Sequence, residues 1–320
     1  MATLLRIVFI ALLVLPLSGL GQAFPSKPIN LIVPYAAGGS MDALCRPLAQ
    51  KMSELTGQPV IVDNRPGGNS TIGAAIVAKS APDGHTVLMT SINHYIVPFL
   101  SRNVPYDTVK DFTPIIIVGI VPTVVAVHPS LPIHSVKELI EYAKANPQKL
   151  FYGTTGIGST QHLGGLMLAQ MAGIEIEHVP YKGGNPTITD VLAGAIPMAI
   201  LSAPTVLTHA RQGKLRALGV IESKRSRAVP ELPSIGETVR GYAVPDTWAG
   251  MLGPAGVSRA VAESLNAIVR KAIDAPDLKP RLEGLGFEVT GNTFDEFVAA
   301  VRSDTEVIRH VVTTAGIKPE

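Results

Sequence analysis

Short apolar runs alternate with stretches of helical period along most of this chain. The runs are Ile29–Val33, Val60–Val62, Thr86–Met89, Ile115–Val118, Val124–Val127, Leu150–Tyr152, His178–Val179, Met198–Leu201, Ala217–Ile221 and Trp248–Leu252. Each is read as a strand, because runs this short suit a buried strand better than a helix. The segments between them carry apolar residues at helical spacing. One example is the stripe Met41, Leu44, Cys45, Leu48 and Met52, and a long helix is expected over Ser258–Ala275. Ser135 with Glu138, and Thr293 with Glu296, have the spacing of capping boxes and predict helix starts. Such alternation predicts an α/β fold with mainly parallel sheets.

Two stretches repeat one design: an apolar strand, a glycine-rich loop with hydroxyls, then a helix. The first loop runs from Pro34 to Asp42 and the second from Gly153 to His162. The first turn of a helix has N–H groups without internal partners, and the helix dipole adds positive charge there. Each loop is therefore a candidate anion cradle. In the first, Gly38 and Gly39 allow close approach, Ser40 is the expected N-cap or ligand donor, and Asp42 sits in the first turn as a structural carboxylate or a partner for a ligand amine. In the second, Thr154, Thr155, Ser159 and Thr160 alternate with glycines. It lacks the lysine of a P-loop, and neither loop has the strict dinucleotide fingerprint. Two cradles in one chain suggest a ligand held between two lobes.

Chain position and charge narrow the function. Residues 1–23 have a basic start at Arg6, an apolar stretch and a small-residue exit at Gly21–Ala23, the pattern of a cleaved signal peptide. The apolar run Ile115–Val127 is broken by Pro122 and reads as strand, hinge and strand rather than a membrane span. Net charge is +2 with no basic cluster, so nucleic acid is not an expected partner. The single cysteine, Cys45, rules out an intramolecular disulfide and lies on a core-facing stripe. No His/Cys/carboxylate spacing suits a metal, and no cofactor is expected. The crossings between lobes are placed near Val121–Thr123 and Gly241–Trp248. This gives lobe 1 as residues 24–122 plus 243–320 and lobe 2 as 123–242.

A different chemistry is open at the second loop. Ser159, His162 and Asp190 could form a hydrolase triad, although the nucleophile-elbow pattern is missing. Tyr181 and Lys182 sit at a strand end facing the expected cleft. Trp248, the only tryptophan, lies beside the return crossing, where it is expected to pack in the hinge or core.

The blocks PSKPINLIVPYAAGGSMDALCRPLA, VDNRPGGNSTIGAAIVAKSAPDGHTVLM, ELIEYAKANPQKLFYGTTGIGSTQHL, HVPYKGGNPTITDVLAG and WAGMLGPAG resemble the Bug family, the TctC-like substrate-binding proteins of tripartite tricarboxylate transporters. The resemblance implies a two-lobed periplasmic-binding-protein fold of Venus-flytrap type, without catalysis. It implies a small carboxylate ligand and a site drawn from Tyr35, Ala36, Gly38, Gly39, Ser40, Asp42, Thr90, Ser91, Thr154, Thr155, Gly158, Ser159, Thr160, His162 and Tyr181. The partners it implies are membrane permease subunits, with the receptor itself a monomer in the periplasm. The chain departs from the usual family pattern at Ala37, Leu166 and Pro197. The readings from other classes are the exported hydrolase and a sensory receptor with no transport role.

Overall fold

The computed structural model describes residues 24–314 apart from Ala243, so the expected signal peptide lies outside the described residues. Among the described residues, eleven strands form two sheets. The first sheet has the order β11-β4-β10-β3-β1-β2, built from β1 (Ile29–Val33), β2 (Val60–Asn64), β3 (Thr86–Ser91), β4 (Phe112–Ile120), β10 (Trp248–Pro254) and β11 (Glu288–Val289). The second has the order β7-β6-β8-β5-β9, built from β5 (Thr123–Val127), β6 (Phe151–Thr154), β7 (Glu177–Pro180), β8 (Met198–Ser202) and β9 (Arg216–Val220). Around the first sheet lie α1 (Ser40–Thr56), α2 (Thr71–Ala78), α3 (Asn93–Leu100), α8 (Arg259–Ile273), α9 (Lys279–Gly284) and α10 (Phe294–Thr314). With the second lie α4 (Val136–Ala145), α5 (Thr160–Ala172), α6 (Gly184–Leu192) and α7 (Ala203–Arg211).

Both faces of each sheet are covered, which is why the strands read as apolar runs. The period of two is visible in the burial. Ile29, Leu31 and Val33 pack with α1 and α8 on one side, while Ile32 joins the cluster on the other. Likewise Val124 and Ala126 face one core, and Val125 and Val127 the opposite one. One cluster is shared between the sheets, running from Ile32, Tyr95 and Trp248 to Tyr152, Leu163 and Tyr242. The helical stripe of α1 is buried as its spacing predicts, with Cys45 wholly enclosed. Burial pushes the Cys45 thiol far up, so it stays a thiol.

Strand direction departs from expectation. The expected mainly parallel sheets are mixed: β1 pairs in parallel with β2 and β3, but β10 runs antiparallel to both β3 and β4. In the second sheet β5 runs antiparallel to β8 and β9, while β6 is parallel to β7 and β8. The reason is the chain's route. β4 passes to β5 through Val121 and Pro122 without a helical crossover, and β10 enters the first sheet as a return strand from the second. Hydrogen bonds brace this double passage: the Val121 amide donates to the Thr247 carbonyl at 2.7 Å, and the Thr123 amide to Glu222 Oε1 at 2.9 Å. No helix among the described residues is long and apolar enough to cross a membrane.

Trp248 packs in the core: it is 3 % exposed, its ring lies edge-on to Phe297, and its Nε1 donates to Asp304 at 2.8 Å. Thr293 and Glu296 form the reciprocal capping box that their spacing predicts. At Ser135 only half of the box closes, because the Glu138 carboxylate accepts from the His134 amide instead.

Candidate functional site: two glycine-rich loops across a cleft

The first loop links β1 to α1. Gly38 has φ +77°, a conformation that favours glycine, and its N–H donates to Asp42 Oδ2 at 2.9 Å. The same Oδ2 accepts from Arg46 Nε at 2.7 Å. Burial pushes the Asp42 carboxyl up, but the bonds from Arg46 and the Gly38 amide outweigh it and hold the group below the ordinary carboxylate range. Asp42 is thus the brace of the loop, one of its two expected roles. Its Oδ1 is buried without a hydrogen-bond partner among the described residues. Gly39, not Ser40, is the N-cap, and no side chain caps the first turn of α1. The Ser40 side chain therefore stands in the first turn itself. Ala36 is exposed, and its carbonyl accepts from the Gly39 amide. Tyr35 reaches across to the end of β3, where its hydroxyl meets Ser91 Oγ at 2.9 Å and Thr90 Oγ1 at 3.4 Å.

The second loop links β6 to α5 and is held by neutral groups. Ser159 caps α5 by accepting the His162 amide at 3.1 Å, and donates to the Gly156 carbonyl at 2.8 Å. Thr154 Oγ1 accepts from the Gly156 amide and meets His178 Nε2 at 2.7 Å. Thr155 Oγ1 donates to Gln161 Oε1 at 3.0 Å. The Gly158 amide donates to His162 Nδ1 at 3.4 Å, and Gly158 itself has φ +81°. His162 stacks on His178 with ring centres 3.9 Å apart. Burial pushes His162 down to about 4, and burial with the neighbouring His162 pushes His178 down to about 3, so both are neutral at pH 7. A charge on either ring would lie directly against its stacked neighbour.

The geometry answers the hydrolase reading. The Ser159 hydroxyl is turned to the Gly156 carbonyl, and the bond between Ser159 and His162 runs through the His162 backbone amide. Asp190 accepts from the Tyr181 hydroxyl at 2.6 Å. No nucleophile–base–carboxylate relay is formed by these three residues. The Tyr181 hydroxyl is accordingly committed within its own lobe, and burial followed by Asp190 raises it to about 12. Lys182 is exposed.

Each loop meets a residue of the other lobe. A Cβ on Gly38 would come within 3.7 Å of Asn185 Nδ2, at the start of α6 in the other lobe. Asn93, the first residue of α3, accepts from both the Thr160 amide at 2.9 Å and Thr160 Oγ1 at 3.0 Å. Sequence reasoning passes over Asn93, Asn185, Gln161 and His178. Asn93 and His178 lie outside any glycine-rich strand–helix pattern and meet their partners only through the fold, whereas Gln161 lies within the second loop and Asn185 just after Gly183–Gly184, where the glycines and hydroxyls drew the reading instead.

The chain matches the description "Tripartite tricarboxylate transporter family receptor" over residues 44–313. It belongs to this family. It is similar to BugT of Bordetella pertussis, 34% identical over 299 residues that cover 93% of this chain and 92% of that protein. Among solved structures it resembles R. palustris Rpa4515 with adipate, at 34% identity and TM-score 0.87, covering 93% of this chain and all (100%) of the other. It also resembles MatC (Rpa3494) from Rhodopseudomonas palustris with bound malate, at 27% identity and TM-score 0.82, covering 90% and 100% of the two chains. Such proteins are solute-binding receptors rather than enzymes, and the Bug resemblance drawn from the sequence blocks is the one that holds.

Proposed function

We propose that this receptor captures a small carboxylate between its two lobes in the periplasm and hands it to the membrane permease subunits of a tripartite tricarboxylate-type transporter. The observation that carries the reading is the first turn of α1. It is left uncapped behind Gly38 and Gly39 and faces the other lobe at Asn185. Uncapped helix amides in a glycine-lined cleft suit a carboxylate oxygen, through both hydrogen bonding and the dipole. Dicarboxylates in two related structures, adipate and malate, support the ligand class.

In this reading Ser40 and the first-turn amides of α1 seat the anion, with Tyr35, Ala36, Gly38, Gly39, Thr90 and Ser91 shaping that side and Asp42 holding it. Thr154, Thr155, Gly158, Ser159, Thr160, His162 and Tyr181 form the opposing wall. The hydroxyl protons of Thr155 and Ser159 go to Gln161 and the Gly156 carbonyl, so these two, like Thr154, His162 and Tyr181, act by holding the wall in place. The lobes are residues 24–122 with 243–320, and 123–242, and the receptor works as a monomer after residues 1–23 are removed. Calorimetry and thermal melting against malate, adipate, citrate, aspartate and aromatic acids test the proposal. A binder at one hundred times its Kd stabilises the fold by about 2.7 kcal/mol and raises the melting temperature. Silence across the whole panel would contradict it.

A further inference from the structure

We propose that Asn93 is the latch of the cleft: the residue of the first lobe that holds the second lobe closed and thereby sets how tightly ligand binds. Its side-chain oxygen accepts two bonds from one residue of the other lobe, the amide and the hydroxyl of Thr160. That amide is the first of α5, where the helix dipole favours an oxygen acceptor. The tie is buried: Asn93 is 8 % exposed and Thr160 is fully enclosed.

Asn93 is also wired to the first loop. Its backbone amide donates to Ser91 Oγ at 3.3 Å, and Ser91 Oγ meets the Tyr35 hydroxyl at 2.9 Å. A line of hydrogen bonds thus runs from Tyr35 through Ser91 and Asn93 to Thr160, joining the two glycine-rich loops. Opening the cleft requires breaking it at the Asn93–Thr160 step, because every other member of the line lies in the first lobe. The closed arrangement therefore carries a closing contact made by the protein alone. Apparent affinity is the intrinsic affinity multiplied by the fraction already closed, so removing the latch weakens binding without touching the ligand. The binding half of this statement rests on the carboxylate-receptor reading, and the closure half does not.

The experiment is small-angle scattering on the ligand-free mature protein, paired with malate and adipate calorimetry. Asn93→Leu keeps the size of the side chain and removes the acceptor; Asn93→Asp keeps an acceptor oxygen in the same place. The expected result is a more extended ligand-free Asn93→Leu protein, a wild-type scattering profile for Asn93→Asp, and about a tenfold affinity loss in Asn93→Leu alone. Thr160→Val, which removes one of the two donors, gives an intermediate expansion and stands in if Asn93→Leu does not fold. Ligand-free profiles of Asn93→Leu and Thr160→Val that superimpose on wild type would overturn the latch. If no acid of the panel above binds wild type while Asn93→Leu still expands, the receptor reading fails and the latch stands.

Discussion

The two glycine-rich loops are written alike and built differently. The first is braced by charge, Asp42 against Arg46 and the Gly38 amide, and leaves the helix behind it uncapped. The second is braced by hydroxyls and imidazoles, and four of its amides are already taken. The Thr160 amide goes to Asn93, the His162 amide to Ser159, the Gly156 amide to Thr154 and the Gly158 amide to His162. The same strand–glycine–helix pattern therefore yields one helix start without a side-chain cap and one that is capped and braced. A glycine-rich helix start becomes a ligand site only where its side chains leave the amides unspent.

The difference is broken most strongly by pH. His162 of the second loop and His178, which stacks on it from β7, have folded values below the unfolded value of 6.5. Between about pH 6.5 and 4 the unfolded chain takes up protons that the folded chain refuses, so stability falls as pH falls. His162 accounts for roughly 3 kcal/mol of this, because each tenfold drop in proton affinity on folding is worth about 1.4 kcal/mol. Glu222, pushed up to about 8 by burial at the lobe crossing, gives the opposite slope: its contribution is lost as pH rises from 4.5 toward 8. Comparing melting curves of wild type and His162→Gln cancels the Glu222 contribution, which both proteins share. The variant should lose the His162 share of the acid-side slope and keep that of His178, and an unchanged slope would mean that His162 is not held neutral in the second loop.

Next in size is the charged brace. Asp42→Asn keeps an acceptor for the Gly38 amide but loses the ion pair, and hydrogen bonds to charged groups are worth about 1.5–3 kcal/mol. Chemical denaturation should show a loss in that range, together with weaker carboxylate binding as the first loop relaxes. A stability loss with intact affinity would mean that the seat does not depend on its brace. Ser159→Ala removes the cap of α5 and should cost about 1 kcal/mol of stability. Its effect on affinity should be smaller than that of Asp42→Asn. Arg46→Gln comes last, because the half-exposed guanidinium is screened by water and salt. Its melting shift should be smaller than that of Ser159→Ala and shrink as salt is added.

Much of this contrast can be read in the chain before folding, and the part that cannot has a physical reason. Every strand expected from an apolar run is present, since burial on both faces writes itself as continuous hydrophobicity. Glu288–Val289 escapes such a reading because two half-buried residues carry no period. The direction of β10 escapes it because it depends on the chain returning from the other lobe, which no local pattern records. In the loops, the structural role of Asp42 follows from its place in the first turn. The spent donors of the second loop do not follow from theirs. Thr154 needs His178 from the neighbouring parallel strand, and Thr160 needs Asn93 from the other lobe.

The contrast stands or falls on where the anion sits: on the first turn of α1, with that of α5 already occupied. Amide chemical shifts of the isotope-labelled mature protein, followed while malate or adipate is titrated to saturation, locate it. The largest downfield movements should fall at Ser40, Met41 and Asp42, with Thr160 and His162 moving little. Large shifts at Thr160 and His162 with Ser40–Asp42 unmoved would contradict this placement.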